Sequence, residues 1–194
     1  SRLIQQQGNG QSVKCTNLDI RGFPFRVGVF CDDVAFDDPA QGVSFKMGAV
    51  RSAAQVYNPT QGIVDFDGPL ELSLPGNDKV QASWSLLRAS AKVDQPLPKR
   101  ASLEASDFSI SLPAQFERPV MNATNIQTHF RTVGQDVDLA ASSTKMLIDR
   151  LITDGREIPA FDFNADIQIK NGVALALSGE RDTRKLLPGQ SGTL

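Results

Sequence analysis

Apolar and polar residues alternate along most of this chain, and the alternation constrains the fold more than any other feature. A period of two places the apolar side chains on one face of a strand. Turn-forming stretches such as Gly68-Pro69 and Lys170-Asn171-Gly172 separate the runs, which favours antiparallel pairing of chain neighbours. Seven runs follow Cys31, and they begin at Val43, Leu70, Val80, Phe108, Ile126, Val137 and Phe161.

The pattern predicts a mainly β fold, in which one long, strongly curved antiparallel sheet forms a meander shaped like a half-barrel or groove. One or two short helices accompany the sheet. The 194 residues are 40% hydrophobic, which is enough to build a core. We expect a single β-rich domain over residues 1–194. The chain begins with Ser1 and not with an initiating Met, so we expect it to be a truncated part of a longer protein.

The predicted helices fall in the last third of the chain. Residues 142–155 carry apolar residues at helical spacing, with Gly155 in position to end the helix. These residues are Leu147, Ile148, Leu151 and Ile152. A second helical turn is expected from Asp182 to Leu187, where Pro188 would stop it.

The only two cysteines, Cys15 and Cys31, lie symmetrically about a Gly-Phe-Pro centre. If a hairpin turns there, positions whose numbers sum to 46 are opposed, and opposed cysteines lie within reach of a disulfide. Closing such a loop contributes about 3 kcal/mol. Free buried thiols are an alternative, and a metal site is less favoured because two sulfurs need further ligands. A disulfide would indicate an oxidising compartment.

The centre of this hairpin is predicted to be a tight structural corner made by Gly22, Phe23 and Pro24. Glycine permits a backbone conformation closed to other residues, and proline fixes its own φ and biases the preceding residue toward extended geometry. The simple hairpin has one defect, because its register puts Asn17 and Asp19 on the apolar face. A bulge near Thr16 would restore the phase.

The sequence holds no catalytic or metal-binding motif that we can identify. The single histidine, His129, is expected to face solvent on a strand, and the acidic pairs Asp32-Asp33 and Asp37-Asp38 lack the spacing and glycine of a calcium loop. We therefore expect no catalytic residue, no metal and no cofactor. The formal net charge of -2 gives no field that would recruit nucleic acid.

Four stretches of the first half resemble one bacterial family. They are CTNLDIRGFPFRVGVFC at residues 15–31, VSFKMGAV at 43–50, AAQVYNP at 53–59 and DGPLEL at 67–72. Together they resemble domain of unknown function 2125, a family of periplasmic proteins, and more distantly AsmA-like envelope proteins. The resemblance implies a periplasmic location, a signal or anchor helix ahead of this chain, and an apolar trough associated with lipids.

Three functions remain in view. The favoured hypothesis is a periplasmic envelope protein that binds a lipid or other hydrophobic ligand in a concave groove, because one helix cannot cover seven apolar runs. The alternative is a structural or interaction module of the envelope, with a closed core and a protein partner, and an enzyme is the least favoured. The predicted groove residues are Phe45, Met47, Trp84, Leu86, Phe108 and Ile110.

Overall fold

The structure is a computed structural model, and it describes residues 3–4, 11–22, 24–76, 79–116, 118–149, 155–156, 158–178 and 191–193. The described residues form one antiparallel β-sheet that does not close on itself, with one short helix. The elements are β1 (Leu3–Ile4), β2 (Ser12–Thr16), β3 (Asp19–Arg21), β4 (Arg26–Cys31), β5 (Asp33–Asp38), β6 (Val43–Met47), β7 (Val50–Gln55), β8 (Asn58–Phe66), β9 (Leu70–Ser73), β10 (Lys79–Ser83), β11 (Leu86–Lys92), β12 (Arg100–Ser111), β13 (Met121–Val133), β14 (Asp136–Ile148), β15 (Phe161–Ile169), α1 (Gly172–Ser178) and β16 (Ser191–Thr193).

The strands follow one another as a meander of long legs, as the sequence predicts. The early legs are each interrupted once, so that β2 continues into β3, β4 into β5, β6 into β7, β8 into β9 and β10 into β11. The later legs, β12 to β15, are single long strands. Each leg pairs with the next leg of the chain, which keeps the sequence separation of paired strands small.

The interruptions line up across the sheet, and we call this line the transverse break. It passes through residues 17–18, 32, 48–49, 67–69 and 84–85, and continues as left-handed residues inside the long strands. Asp107 in β12 has φ of 49° and Lys145 in β14 has φ of 51°. The break divides the sheet into a minor section, with β2, β5, β6, β9 and β10, and a major section, with β3, β4, β7, β8, β11 and β15.

Side chains and backbone groups at the break bond to one another, which satisfies polar groups that the interrupted ladder leaves open. Asn17 donates to Asp32 at 2.9 Å, and the Ser85 hydroxyl donates to Asp107 at 2.7 Å. The backbone N–H of Lys145 donates to Asp162 at 2.8 Å. The break is therefore a built feature of the sheet, with its own hydrogen bonds.

Both sections have one apolar and one polar face. In the minor section, Phe36, Phe45, Leu72 and Val80 are consecutive cross-strand neighbours, and the rings of Phe36 and Phe45 stack with centroids 5.4 Å apart. Among the described residues no large side chain is fully buried. The most buried apolar residues are small, namely Ala105, Ala123, Ala165 and Val120. The apolar face is therefore only partly covered.

Cys15 and Cys31 are joined by a disulfide, with Cα atoms 5.7 Å apart. The hairpin register that suggested this pair is wrong, because Cys15 is opposed to Val34 and Asp19 to Phe30. Cys15 lies in β2 of the minor section, and Cys31 is the last residue of β4 in the major section. The disulfide therefore spans the transverse break. The bulge predicted near Thr16 is wrong, because Thr16 pairs with Asp33 and Asp19 with Phe30 in one continuous register; Asn17, between the two strands, adopts φ of 53°.

Gly22, at the predicted corner, has φ of 105°, a left-handed conformation that favours glycine. Its carbonyl accepts a hydrogen bond from the backbone N–H of Arg26 at 2.9 Å, which closes the turn. A Cβ at Gly22 would lie 2.7 Å from the Arg26 carbonyl oxygen, so both the backbone angle and the space favour glycine. Pro24 lies exposed in the same turn, and Phe23 lies outside the described residues.

The helix predicted over residues 142–155 is wrong for its first half, because β14 continues as a strand to Ile148. Residues 150–154, and the turn predicted from Asp182 to Leu187, lie outside the described residues. The helix of the described structure is α1, where Val173 is buried and donates its backbone N–H to Gln135 at 3.1 Å. Gly172 allows this contact, since a Cβ there would meet the Val137 side chain at 2.8 Å.

Candidate ligand-binding faces of the sheet

The apolar face of the major section carries an open depression of about 690 Å³, which we call the apolar trough. Two cross-strand rows form its floor. The first row is Gly62, Ala91, Ala101, Phe130, Leu139 and Ile167, and the second is Val64, Ala89, Leu103, Thr128, Ala141 and Ala165. Every member of both rows lines the depression.

The size of these side chains explains why there is a depression at all. Six of the twelve floor positions are alanine or glycine, while Phe130, Leu139, Leu103, Val64 and Ile167 supply larger apolar groups around them. Small residues on a pleated surface leave volume that no neighbouring element of the described structure fills. Leu103, Phe130 and Leu139 are half-buried, although they lie in the middle of the sheet, and Ile167 is 42% exposed.

The six predicted groove residues do not line this trough. Phe45 lies in β6 of the minor section, against Phe36, and Met47 ends the same strand. Trp84 lies at the transverse break, where its ring is parallel to that of Phe108 with centroids 6.3 Å apart. Leu86 begins β11, and Ile110 pairs with Ala82 and Met121. Ligand binding by these six residues stays a prediction, and it concerns an apolar surface other than the apolar trough.

Only some of the residues that line the trough can be predicted from the sequence. The alternation of Ile126, Thr128 and Phe130, and of Val137 and Leu139, assigned the correct face to two floor strands. The signal that was missed is the frequency of alanine at the inward positions of β11, β12, β14 and β15. Because alanine side chains are small, an apolar face rich in alanine indicates unfilled volume above the sheet.

The opposite face of the same strands carries a polar depression of about 820 Å³, which we call the polar site. Its first row, in cross-strand order, is Gln61, Lys92, Arg100, Arg131, Asp138 and Gln168. Its second row contains Ser90, Ser102, His129, Ala140 and Asp166. The sequence analysis placed His129 on a solvent-facing side, and the structure confirms its exposure.

Hydrogen bonds order both rows of the polar site. Arg131 donates to Asp138 at 3.2 Å, and Gln168 donates to the other oxygen of the same carboxylate at 3.2 Å. Arg100 donates to the Gln61 side-chain oxygen at 3.3 Å, and the hydroxyls of Ser90 and Ser102 lie 2.8 Å apart. The basic side chains of the site lie on β11, β12 and β13, and the acidic ones on β14 and β15.

A further ion pair lies on the same face, closer to the transverse break. The Arg88 guanidinium donates to both oxygens of Asp65, at 2.6 and 3.0 Å, and this hydrogen bonding holds the pKa of the Asp65 carboxyl below its ordinary value. Arg51 makes a similar two-point contact with Asp67, at 2.7 Å for one bond. Arg51 and Arg88 therefore each have a carboxylate partner within the sheet.

The acidic pairs near the N-terminus have a structural role in the described chain. Asp38 is buried and accepts hydrogen bonds from the backbone N–H groups of Ala40 and Gln41, at 3.1 and 3.2 Å. Asp32 accepts from Asn17 at the transverse break. Within the described residues, no group of three or more His, Cys, Asp or Glu side chains could hold a metal ion.

The fold and its two faces define an open, single-sheet antiparallel β protein with a disulfide across its break. The chain belongs to the family domain of unknown function 2125 (DUF2125), described as an uncharacterized protein conserved in bacteria, which it matches over residues 3–187. No curated protein and no solved structure matches the chain, so the distant AsmA-like similarity has no support from a match. Among the described residues, no helix has the length and apolarity needed to span a membrane.

Proposed function

We propose that this protein binds a lipid or another hydrophobic ligand in the apolar trough, as a component of the bacterial periplasm and cell envelope. The observation that carries the proposal is the open depression of about 690 Å³, whose floor is made of alanine, glycine and half-buried aliphatic side chains. Ligand sites of this kind have volumes of roughly 300 to 1,000 Å³ and mainly apolar linings.

The energetics favour an acyl chain or a comparable apolar group. Each methylene that leaves water for the trough contributes about 0.8 kcal/mol. Micromolar affinity requires a net gain of about 8 kcal/mol, so roughly ten buried methylenes are needed, and more once the losses of freedom on binding are offset. The weakly polar Thr128 is the main hydroxyl group on the floor, so the trough itself offers little to select a head group.

The disulfide between Cys15 and Cys31 supports the compartment in the proposal. Disulfides persist in oxidising compartments, of which the bacterial periplasm is one, and are rare in the bacterial cytoplasm. The family of the chain is bacterial. Fractionation of cells that express the full-length gene product, with the disulfide state measured in each fraction, tests this part directly.

A structural or interaction module of the envelope is the second candidate, and one observation favours it. Exposed apolar side chains gather where β3, β4 and the turn after β7 meet, and a patch of this kind commonly contacts another protein. They are Ile20 at 68% exposure, Phe25 at 74%, Val29 at 42% and Tyr57 at 76%. In this case the trough would be covered by protein in the assembled envelope.

Lipid analysis of protein purified from a bacterial envelope separates the two candidates. We expect organic extraction to release fatty-acyl material in a fixed ratio to the protein, and a fluorescent fatty-acid analogue to bind the stripped protein with saturation. Absence of both bound lipid and saturable analogue binding would reject the trough as a ligand site. A structural or interaction module of the envelope would then be the favoured function.

A further inference from the structure

We propose that the polar site binds a compact phosphate group, on the face of the sheet opposite the apolar trough. The inference does not depend on the trough. It starts from Lys92, Arg100 and Arg131, which are consecutive cross-strand neighbours in the first row of the site. Directly opposed residues on one face have Cβ atoms about 4.5 to 5.5 Å apart, and like charges at that spacing repel.

Among the residues that the structure describes, only one of the three cations has a carboxylate partner. Arg131 pairs with Asp138 at 3.2 Å. Arg100 hydrogen-bonds to the neutral amide of Gln61, and the described residues place no carboxylate within ion-pair distance of Lys92. Two adjacent positive charges thus lack compensation within the part of the sheet that is described, unlike Arg51 and Arg88, which both have carboxylate partners.

The neighbouring row supplies further donors at the same end of the site. Ser102 is opposed to both Ser90 and His129, so two hydroxyls and an imidazole border the cations. A ligand for this arrangement needs negative charge and several acceptor oxygens on one compact group, and phosphate provides both. Hydrogen bonds of this charge-assisted kind are the stronger ones in proteins.

The acidic side of the depression limits the size of the anion. Asp138 and Asp166 lie on β14 and β15, across the site from Lys92. Adjacent strands are about 4.8 Å apart, so these carboxylates lie within a few strand spacings of the cations. They would repel an extended polyanion such as a nucleic acid backbone. A single phosphate, free in solution or in a lipid head group, avoids that repulsion.

The test uses inorganic phosphate and NMR titration of the disulfide-bonded protein. We expect saturable shifts of the Ser102 backbone amide and the His129 ring. Lys92→Gln combined with Arg100→Gln removes both uncompensated charges, and we expect it to weaken binding roughly tenfold or more. The matched control is Lys14→Gln with Lys46→Gln, which removes two exposed charges from the polar face of the minor section and should leave affinity within about twofold.

A second variant tests whether weaker phosphate binding arises from a folding defect. Ala140→Glu adds a carboxylate between His129 and Asp166 without removing a donor, and it should also weaken phosphate binding while the circular dichroism spectrum stays that of the parent. A titration without saturable shifts at Ser102 and His129 would overturn the inference. An equal loss of affinity in the Lys14 and Lys46 control would overturn it as well.

Vesicles identify the source of the phosphate. Flotation with phosphatidylglycerol vesicles is compared with flotation with phosphate-free galactolipid vesicles. Binding to inorganic phosphate alone supports a soluble phosphate ligand, whereas binding to the phosphatidylglycerol vesicles that Lys92→Gln with Arg100→Gln abolishes supports a lipid head group. Binding to neither probe would overturn the inference. Loss of fatty-acid binding with retained phosphate binding would reject the trough alone.

Discussion

The indole nitrogen of Trp84 donates a hydrogen bond to the backbone carbonyl of Phe66, at 2.8 Å, across the transverse break. Trp84 follows the end of β10, and Phe66 is the last residue of β8, so the bond ties together two legs where both are interrupted. The ring also lies parallel to Phe108 of the next leg. The Trp84 side chain therefore links its own leg to the preceding leg and to the following leg, at the point where ladder hydrogen bonds are missing.

Trp84→Phe should destabilise the sheet, because the Phe66 carbonyl loses its partner while part of the ring contact is kept. Loss of a hydrogen bond to a partly buried carbonyl lowers the free energy of unfolding by about 1 to 3 kcal/mol. Urea denaturation measures it. Tyr57→Phe is the control, since Tyr57 is 76% exposed and its change should stay within about 0.5 kcal/mol. Equal effects of the two variants would show that the indole bond contributes nothing.

The disulfide should stabilise the native state by joining the two sections. Cys15→Ser with Cys31→Ser should lower the free energy of unfolding by about 3 kcal/mol, as expected for a closed loop with a sequence separation of 16. Reduction of the parent protein should give the same loss, and reduction of the double variant should give none. Alkylation and mass measurement without reductant should leave both cysteines unmodified. Labelling of both thiols would contradict the structure and remove support for an oxidising compartment.

The strand meander could be predicted from the sequence because alternation survives within each leg, but the transverse break could not. In β14 the pairing partner shifts between Ser143 and Met146, so one extra residue enters that strand. A bulge turns a spacing of two into a spacing of three, and this resembles the period of a helix. The helix predicted over residues 142–155 rested on Leu147, Ile148, Leu151 and Ile152, and the structure describes the first two as the end of β14, beyond the bulge.

The same effect explains why the predicted groove residues differ from the residues that line the apolar trough. The alternation of Val80, Ala82, Trp84 and Leu86 predicts one continuous strand, although β10 ends at Ser83 and β11 begins at Leu86. Beyond the break the apolar positions of this leg are Leu87, Ala89 and Ala91, with the opposite parity. A single sequence gives no warning of such a change, because a left-handed residue such as Asp107 looks like any turn carboxylate.

Gly22→Val should impair folding more than Gly76→Val does. Both glycines have positive φ, of 105° and 91°, so both variants strain the backbone by about 1 to 3 kcal/mol. An added Cβ at Gly22 would meet the Arg26 carbonyl oxygen at 2.7 Å, whereas none of the described residues has an atom within 4 Å of one at Gly76. The yield of soluble protein and the urea midpoint measure the difference. A Gly22→Val protein as stable as Gly76→Val would show that this corner is not specified by space.

Acid should weaken the sheet partly through Asp65. Arg88 hydrogen-bonds to this carboxylate and lowers its pKa in the folded state, so its contribution to stability is complete above the ordinary aspartate pKa of about 4. The contribution is lost as pH falls through the lower folded-state pKa, where protonation breaks the ion pair. Asp65→Asn should flatten the stability profile below about pH 4, measured by urea denaturation. Arg88→Gln removes the same hydrogen bonds and should flatten the profile as well, and an Asp65→Asn profile as steep as that of the parent would contradict the role of this pair.

Adjacent residues of β14 offer a matched test of the apolar trough. Ala141 lies on the floor of the trough, opposed to Thr128 and Ala165, whereas Ser142 points to the other face, opposed to Gln127 and Asn164, and lines neither depression. Ala141→Phe fills trough volume with a ring and should reduce the affinity for a fluorescent fatty-acid analogue roughly tenfold or more, since about two displaced methylenes are worth that factor. Ser142→Phe adds the same ring on the polar face and should change the affinity by less than about twofold. The two variants carry the same ring one residue apart on one strand, so a general effect of an added aromatic group would act on both. Equal affinities for the analogue in Ala141→Phe and the parent would mean that the acyl chain binds elsewhere on the protein.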